Sequence, residues 1–429
     1  MATVRPFKGL LYSHDKTGGG YSTVVAPPYD VIPEGMRDEL YEKSAFNVIR
    51  LILGRSRTGD DEKNNKYTRA KAFLDEWQKK KVLVRDAAET FYVYLQEYKY
   101  RGKMLRRIGF IGLIKIEDPQ EGVVLPHEHT LAKPKEDRMN LIKQVRGNLS
   151  PIFTIFDDAD GKVTGILERA VKDSDPVIDI ELEDGRHAIW RITDKGSIGG
   201  IVSGMEGKRV FIADGHHRYE VARTYREALK NEEGYDGSAD YVMMYFADMA
   251  ARDNLTVMPT HRAIKNMPVS GDDQIKERLA GYFDITECGT LAELLERLEA
   301  EETSGHAFGY FGGDKYLFLK ARSKEALLGL IAEERSEDWK LLDVSVLHAA
   351  VFGKLLCVKA EEGNITYVKE PEEAQALVKD GSHAAAFFLN STRMDQLRRV
   401  AEKGEMMPQK STYFYPKLLS GLVINRFSG

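Results

Sequence analysis

Phe211-Ile212-Ala213-Asp214-Gly215-His216-His217-Arg218-Tyr219-Glu220 is the stretch whose reading decides the fold. Together with Arg209 and Val210, its first half is a short apolar, β-prone run. Gly215 then turns the backbone, and a helix is predicted from His216 to Leu229. Val221, Ala222, Tyr225, Ala228 and Leu229 recur at helical spacing and form the face that packs on a sheet. Gly215 carries no Cβ, so the turn can be sharp and a ligand can approach the backbone closely. His216, His217 and Arg218 occupy the first helical turn. Backbone N–H groups there lack intrahelical partners, and the helix dipole favours an anion. Arg218 adds a fork of donors suited to phosphate oxygens.

Asp214 gives this anion site its direction. A carboxylate beside a phosphate is repulsive unless a cation bridges them or the carboxylate takes a proton from a nucleophile. That combination points to Mg²⁺-assisted phosphoryl transfer rather than passive anion binding. On this reading Asp214 and His216 are catalytic, and Gly215, His216, His217 and Arg218 hold nucleotide phosphates. Asp214 is then also a metal ligand. The plainer alternative is that Asp214 caps the helix and the histidines satisfy buried polar groups. A single ion shared by His216 and His217 is disfavoured, because neighbouring helical residues point about 100° apart.

Several other stretches supply candidates. Pro126-His127-Glu128-His129-Thr130 opens a polar run that continues through Lys133, Lys135, Glu136, Asp137 and Arg138. Glu128 is a candidate general base or Mg²⁺ ligand, His127 and Arg138 are candidate substrate contacts, and Lys133 or Arg138 could neutralise a phosphate. The spacing is not the His-Glu-X-X-His of zinc proteases. An exposed, self-paired charged loop is the competing reading. Pro27-Pro28-Tyr29-Asp30 is a stiff elbow that either presents Tyr29 and Asp30 to a small ligand or starts a helix. His261 follows a strand-like segment and either ends beside the phosphate site or is a satisfied core histidine. Gln409 to Lys417 is rich in donors and aromatics; it is expected to pack against the catalytic body, with Lys410 or Lys417 completing the phosphate site.

Composition narrows the classes. The chain has 429 residues, 42% of them hydrophobic, and a formal charge of 62 − 67 = −5. This balance gives no global drive toward nucleic acid or an anionic membrane. Cys288 and Cys357 are the only cysteines, so neither a disulfide framework nor a zinc site is expected. No signal-peptide core or membrane-length apolar run is seen, and a cytoplasmic, soluble protein is expected. Residues 1–265 are assigned to a catalytic or nucleotide-binding domain with insertions. Residues 266–429 are assigned to a smaller α/β domain of strand–helix alternation, with its tail packing back on the core.

The Asp214–Arg218 segment resembles the signature of the ParB/sulfiredoxin superfamily, whose members bind nucleotide phosphates at such a helix start. Sulfiredoxins place a catalytic cysteine where this chain has His216, which points away from sulfinic acid reduction. Chromosome-partitioning ParB proteins carry a Gly-Glu-Arg-Arg version and basic DNA-binding helices, which this acidic chain does not share. ParB-like free serine kinases carry Asp-Gly-His-X-Arg, which Asp214, Gly215, His216 and Arg218 match. The chain also resembles, nearly end to end, the prokaryotic family catalogued as domain of unknown function 1015. That likeness is carried by Arg5-Pro6-Phe7, Ala26 to Val31, Asn47 to Leu51, Pro126-His127-Glu128, Asn148 to Phe153, Pro259 to Arg262 and Met407 to Lys417. Genes of this family often lie beside those of serine-biosynthesis enzymes.

These resemblances imply an α/β (α+β) fold with a ParB/sulfiredoxin-like nucleotide-binding core. They also imply a kinase of a small hydroxyl-bearing metabolite, with free L-serine as acceptor, ATP or ADP as donor and Mg²⁺ as cofactor. The alternatives are a nucleotide-responsive switch whose output is closure of a homodimer, and a hydrolase of phosphorylated metabolites.

Overall fold

Phe91, Val93 and Leu95 alternate with Tyr92, Tyr94 and Gln96 along the strand Phe91–Tyr100, and both sets are buried. A strand buried on both faces needs a covered sheet on each side. The computed structural model, which describes residues 2–250, 255–269, 271–359 and 363–427, provides one. Nine strands form a mixed sheet in the order Val124–Leu125, Val210–Asp214, Ile152–Phe156, Tyr241–Asp248, Lys103–Lys115, Phe91–Tyr100, Gly185–Ile192 and Ile178–Leu182; Val4–Arg5 also pairs with Lys103–Lys115. Val210–Asp214 runs parallel to Val124–Leu125, as does Tyr241–Asp248 to Ile152–Phe156; the other pairings are antiparallel. The expected hairpin of residues 91–99 and 104–116 turns at Arg101 and Gly102, both with positive φ (46° and 78°). Such a two-residue turn matches the twist of its strands.

One face of this sheet is apolar. Val93, Leu95, Phe110, Met244 and Phe246 share a core with Val163, Ile166 and Leu167 of the helix Lys162–Asp173 and with Ile201 and Met205 of Lys195–Met205. The latter helix is absent from the sequence reading because its four glycines resemble a loop. Two of them are seats for its neighbour: a Cβ at Gly200 or Gly204 would come within 2.6 Å of Ile166 or Val163.

The other face carries polar side chains bonded to backbone. Tyr92 Oη accepts from Gly9 N–H (2.9 Å), and Gln96 Nε2 donates to the Lys417 carbonyl (3.1 Å). Fully buried Arg107 donates to Gln96 Oε1 and to the Pro416 carbonyl. Residues 416–427 therefore line this face, and they continue into pairings of Ser420 with Ala26, Ile424 with Leu10 and Asn425 with Asn148.

The chain forms two compact units, the first of Met1–Leu125, Thr130–Thr256 and Pro416–Gly429, and the second of Pro126–His129 and Val257–Tyr415. The boundary expected after residue 265 falls inside the second unit. The polar run after Leu125, read in one alternative as an exposed loop, contains the helix Ala132–Val145. Its Arg138, Leu141, Ile142 and Val145 are buried at helical spacing, while its first turns are dominated by charge.

In the second unit six strands form a sheet in the order Phe283–Cys288, Tyr316–Ala321, Ala307–Phe311, Ala385–Leu389, His261–Ile264 and Ile365–Val368. Every neighbouring pair is antiparallel. The strand–helix–strand alternation expected from sequence is present, but each such unit is split. Tyr316–Ala321 separates the strands joined by the helix Leu291–Ala300, and His261–Ile264 separates those joined by Pro371–Lys379. Sequence order shows the alternation; only pairing shows the inserted strand. Among the described residues, no helix is long and apolar enough to cross a membrane.

One close contact within the sheet is testable. A Cβ at Gly109 would lie 2.3 Å from the Phe246 carbonyl oxygen, a backbone atom that cannot move aside. Gly109→Ala is expected to lower stability by about 1–3 kcal/mol. Gly165→Ala, where the nearest atom is the Arg169 guanidinium at 3.8 Å, should leave stability unchanged or raise it by up to about 1 kcal/mol. Urea midpoints of the two variants against the parent chain measure the difference.

Candidate functional site

The strand Val210–Asp214 loses register against Ile152–Phe156 between Ile212 and Asp214, a bulge that re-aims the last side chain. Gly215 follows with φ 96°, and the helix His216–Lys230 begins without a side-chain cap. A Cβ at Gly215 would be 2.8 Å from Arg218 Nη2, so both the backbone angle and the room for the guanidinium call for glycine.

The sequence reading treats Asp214 as an uncompensated carboxylate. The structure corrects this. Asp214 Oδ2 accepts from Arg218 Nη2 at 2.7 Å, and Oδ1 accepts from Lys417 Nζ at 2.5 Å. Arg218 also donates through Nη1 to the Pro151 carbonyl (2.5 Å), while its Nε is buried without a hydrogen-bond partner. The side chains of Asp214, Arg218 and Lys417 are 14%, 14% and 12% exposed, so the triad is largely out of water. Burial pushes the Asp214 carboxyl up, but Lys417 and Arg218, helped by His216, outweigh it and hold it at about 2.

The rest of the first helical turn is also engaged. His216 is buried. His217 Nε2 accepts from the Leu131 amide at 2.9 Å, which requires the tautomer protonated on Nδ1. Glu220, one turn on, accepts from Thr130 Oγ1 and from Lys135 Nζ (2.9 Å). The segment Thr130–Lys135 is thereby fastened to this helix.

Tyr29 and Arg138 belong to the same region. Together with Arg218, Asn148 and Ser150 they line a cavity of about 60 Å³. The Arg138 guanidinium lies 4.0 Å from the centre of the Tyr29 ring and donates to the Ile52 carbonyl and to Asp137. Asp137 also accepts from Lys66 (2.6 Å) and Tyr67 (2.8 Å). Burial raises the Tyr29 pKa; Arg138 and Arg218 oppose that rise, whereas Asp30 and Asp214 add to it. Asp30 and Lys133 are exposed and do not line the cavity.

The remaining candidates lie in the second unit. His127 is buried there, with Nε2 3.0 Å from Thr412 Oγ1, and Glu128 pairs with Met407 as an isolated bridge. His261 is buried with its ring 5.3 Å from that of Phe388, as a core histidine would be. Lys410 is exposed, and its carbonyl accepts from buried Arg262. Cys288 and Cys357 are both free and in this unit. Of the two lysines expected to complete the anion site, Lys417 is the one on Asp214. The Pro151 carbonyl, which fixes Arg218, has no sequence signal beyond its place in Asn148–Phe153.

Mg²⁺ fits this arrangement poorly. Each Asp214 oxygen already accepts from a cation, and among the described residues no group of three or more His, Cys, Asp or Glu could hold a metal.

One comparison with known proteins covers most of the sequence: residues 4–345 match the family described as Protein of unknown function (DUF1015). The chain belongs to DUF1015. No curated protein matches this DUF1015 chain. Among solved structures it is similar to a free serine kinase in complex with AMP, at 17% identity and TM-score 0.32, covering 68% of this chain and 83% of that one. A conserved hypothetical protein from Pyrococcus furiosus gives 16%, 0.32, 71% and 92% in the same order. SbnI with C-terminal truncation from Staphylococcus aureus gives 10%, 0.34, 72% and 85%.

The depressed Asp214 pKa sets a pH dependence. A carboxyl held at about 2 when folded, against about 3.9 unfolded, contributes about 2 kcal/mol of stability above pH 4, lost as pH falls from about 4 to about 2. Asp137, held at about 2 by Arg138, Lys66 and Tyr67 against the opposing effect of burial, acts in the same window. Asp214→Asn should therefore flatten, without abolishing, the acid limb of a urea-midpoint profile. An unchanged acid limb would contradict the triad.

Proposed function

We propose that this DUF1015 chain is a nucleotide-dependent kinase of a small hydroxyl-bearing metabolite, with free L-serine as the first acceptor to test. The observation that carries the reading is the Arg218–Asp214–Lys417 triad at a helix start. Two cations against one carboxylate leave a net positive charge where the helix dipole adds to it. This removes the repulsion between Asp214 and a phosphate without a metal ion. Incoming phosphate oxygens compete with Asp214 for the guanidinium and the ammonium, and backbone N–H groups of the first turn support them.

The same exchange prepares the acceptor step. As Arg218 and Lys417 turn to phosphate, Asp214 loses the charges that hold its pKa down and becomes a better proton acceptor. It then takes the proton of the acceptor hydroxyl while the cations stabilise charge on the transferring phosphoryl group. Tyr29 and Arg138 line a cavity beside Arg218 and are the proposed acceptor contacts. His216 and His217 order the helix start.

A nucleotide-responsive switch is the second reading. It is favoured by one observation: both Asp214 oxygens are already paired with cations, a state suited to binding rather than to proton transfer.

Incubation with ATP or ADP, Mg²⁺ and L-serine, read by mass spectrometry for phosphoserine, separates the two. Product is expected from the parent chain, with kcat/KM reduced about a hundredfold or more by Arg218→Ala or Lys417→Ala. Asp214→Asn should depress kcat more than nucleotide affinity. Nucleotide binding without product across a panel of hydroxyl acceptors would leave the switch and sink the kinase. Absence of nucleotide binding would sink both.

A further inference from the structure

Apart from the triad, the first unit carries a second concentration of positive charge. A groove of about 1010 Å³ is lined by Arg5, Lys8, Arg85, Arg146 and Arg426, with Glu89 as its one carboxylate. Arg426 is neutralised by Asp75 and also donates to Gln78. Among the described residues, Arg5, Lys8, Arg85 and Arg146 make no ion pair with a carboxylate. In a chain of net charge −5, four cations without an ion pair around one groove are a local excess of positive charge that an anion would relieve.

The Arg85 and Arg5 side chains are also held in place. Arg85 donates to the Lys8 carbonyl (3.2 Å) and the Arg426 carbonyl (3.3 Å), which fixes its guanidinium beside a second arginine. Arg5 is stacked over Tyr241, 3.5 Å from the ring centre. Arg146 ends its helix in the left-handed region (φ 48°), a costly conformation for a side chain with a Cβ, and its carbonyl accepts from the Phe427 amide. Asp236, whose carboxyl is held low first by hydrogen bonding from Ser238, feels Arg146 through space and without an ion pair. Like charges gathered by backbone anchors are preorganised for a ligand that carries more than one negative charge.

We propose that this groove binds a small polyanion, a metabolite bearing two or more phosphate or carboxylate groups. The size suits a small molecule. The aromatic residues of its wall, Phe7 and Phe427, are only 4% and 8% exposed, so they offer no platform for stacking the bases of a nucleic acid. Arg5-Pro6-Phe7, a stretch by which the chain resembles its family, thereby acquires a role that the triad does not give it.

Pyrophosphate is the probe, and arginine modification by phenylglyoxal, mapped by mass spectrometry on the full chain at low salt, is the readout. Pyrophosphate should slow modification of Arg85 and Arg146 at least about fivefold, in the parent and equally in Arg218→Ala, so that the result is independent of the triad; the protection should fade as salt screens the charges. Arg85→Gln with Arg146→Gln should weaken calorimetric binding at this groove about tenfold or more at low salt. Unchanged reactivity of both arginines with millimolar pyrophosphate overturns the proposal. Protection by a single-stranded oligonucleotide but not by pyrophosphate overturns it as well, in favour of nucleic acid.

Discussion

The carboxylate of Asp214 is taken largely out of water, and the surrounding architecture serves to keep it charged there. An isolated buried carboxylate would neutralise itself. Two cations prevent this, and they come from distant parts of the chain: Arg218 is one helical turn away, and Lys417 is 203 residues away. Arg218 is aimed by the Pro151 carbonyl. Lys417 is aimed by a deeper device, the buried Arg107 and Gln96 pair whose hydrogen bonds grip the Pro416 and Lys417 carbonyls. The polar face of the large sheet is therefore the foundation of the triad.

That foundation explains an unusual feature of the sheet. A fully buried arginine in a strand is costly unless its donors are satisfied, and Arg107 faces amide and carbonyl oxygens, with the Phe153 ring 4.6 Å away. Replacing these partners with apolar residues could build a core of equal volume. It would not build one that fixes the path of residues 416–419. Polar burial here specifies where the chain runs.

Much of the fold was legible because the signals are local. The hairpin around Arg101-Gly102 follows from two apolar runs and a turn, and the helix after Gly215 from periodicity. The glycine-rich helix Lys195–Met205 was missed because its small residues serve packing against Ile166 and Val163, not propensity. The helix Ala132–Val145 was hidden by its charged first turns. The split strand–helix–strand units of the second sheet depend on pairing, which sequence order does not encode. At the candidate site, Asp214, Gly215 and Arg218 were legible as a motif, but the state of Asp214 was not. Its partners are a lysine that sequence offered only as one of two, and an arginine whose anchor is a backbone carbonyl.

The separation between Asp214 and Lys417 also orders events in time. During synthesis the strand, the turn and Arg218 leave the ribosome long before Lys417 exists, and the large sheet can pair meanwhile with its polar face still open to water. In that interval Asp214 has one cation partner instead of two. The site becomes electrostatically complete only when residues 416–419 are drawn across Arg107 and Gln96. A chain interrupted before Lys417 can thus own a nearly finished sheet and still lack the second cation of the triad.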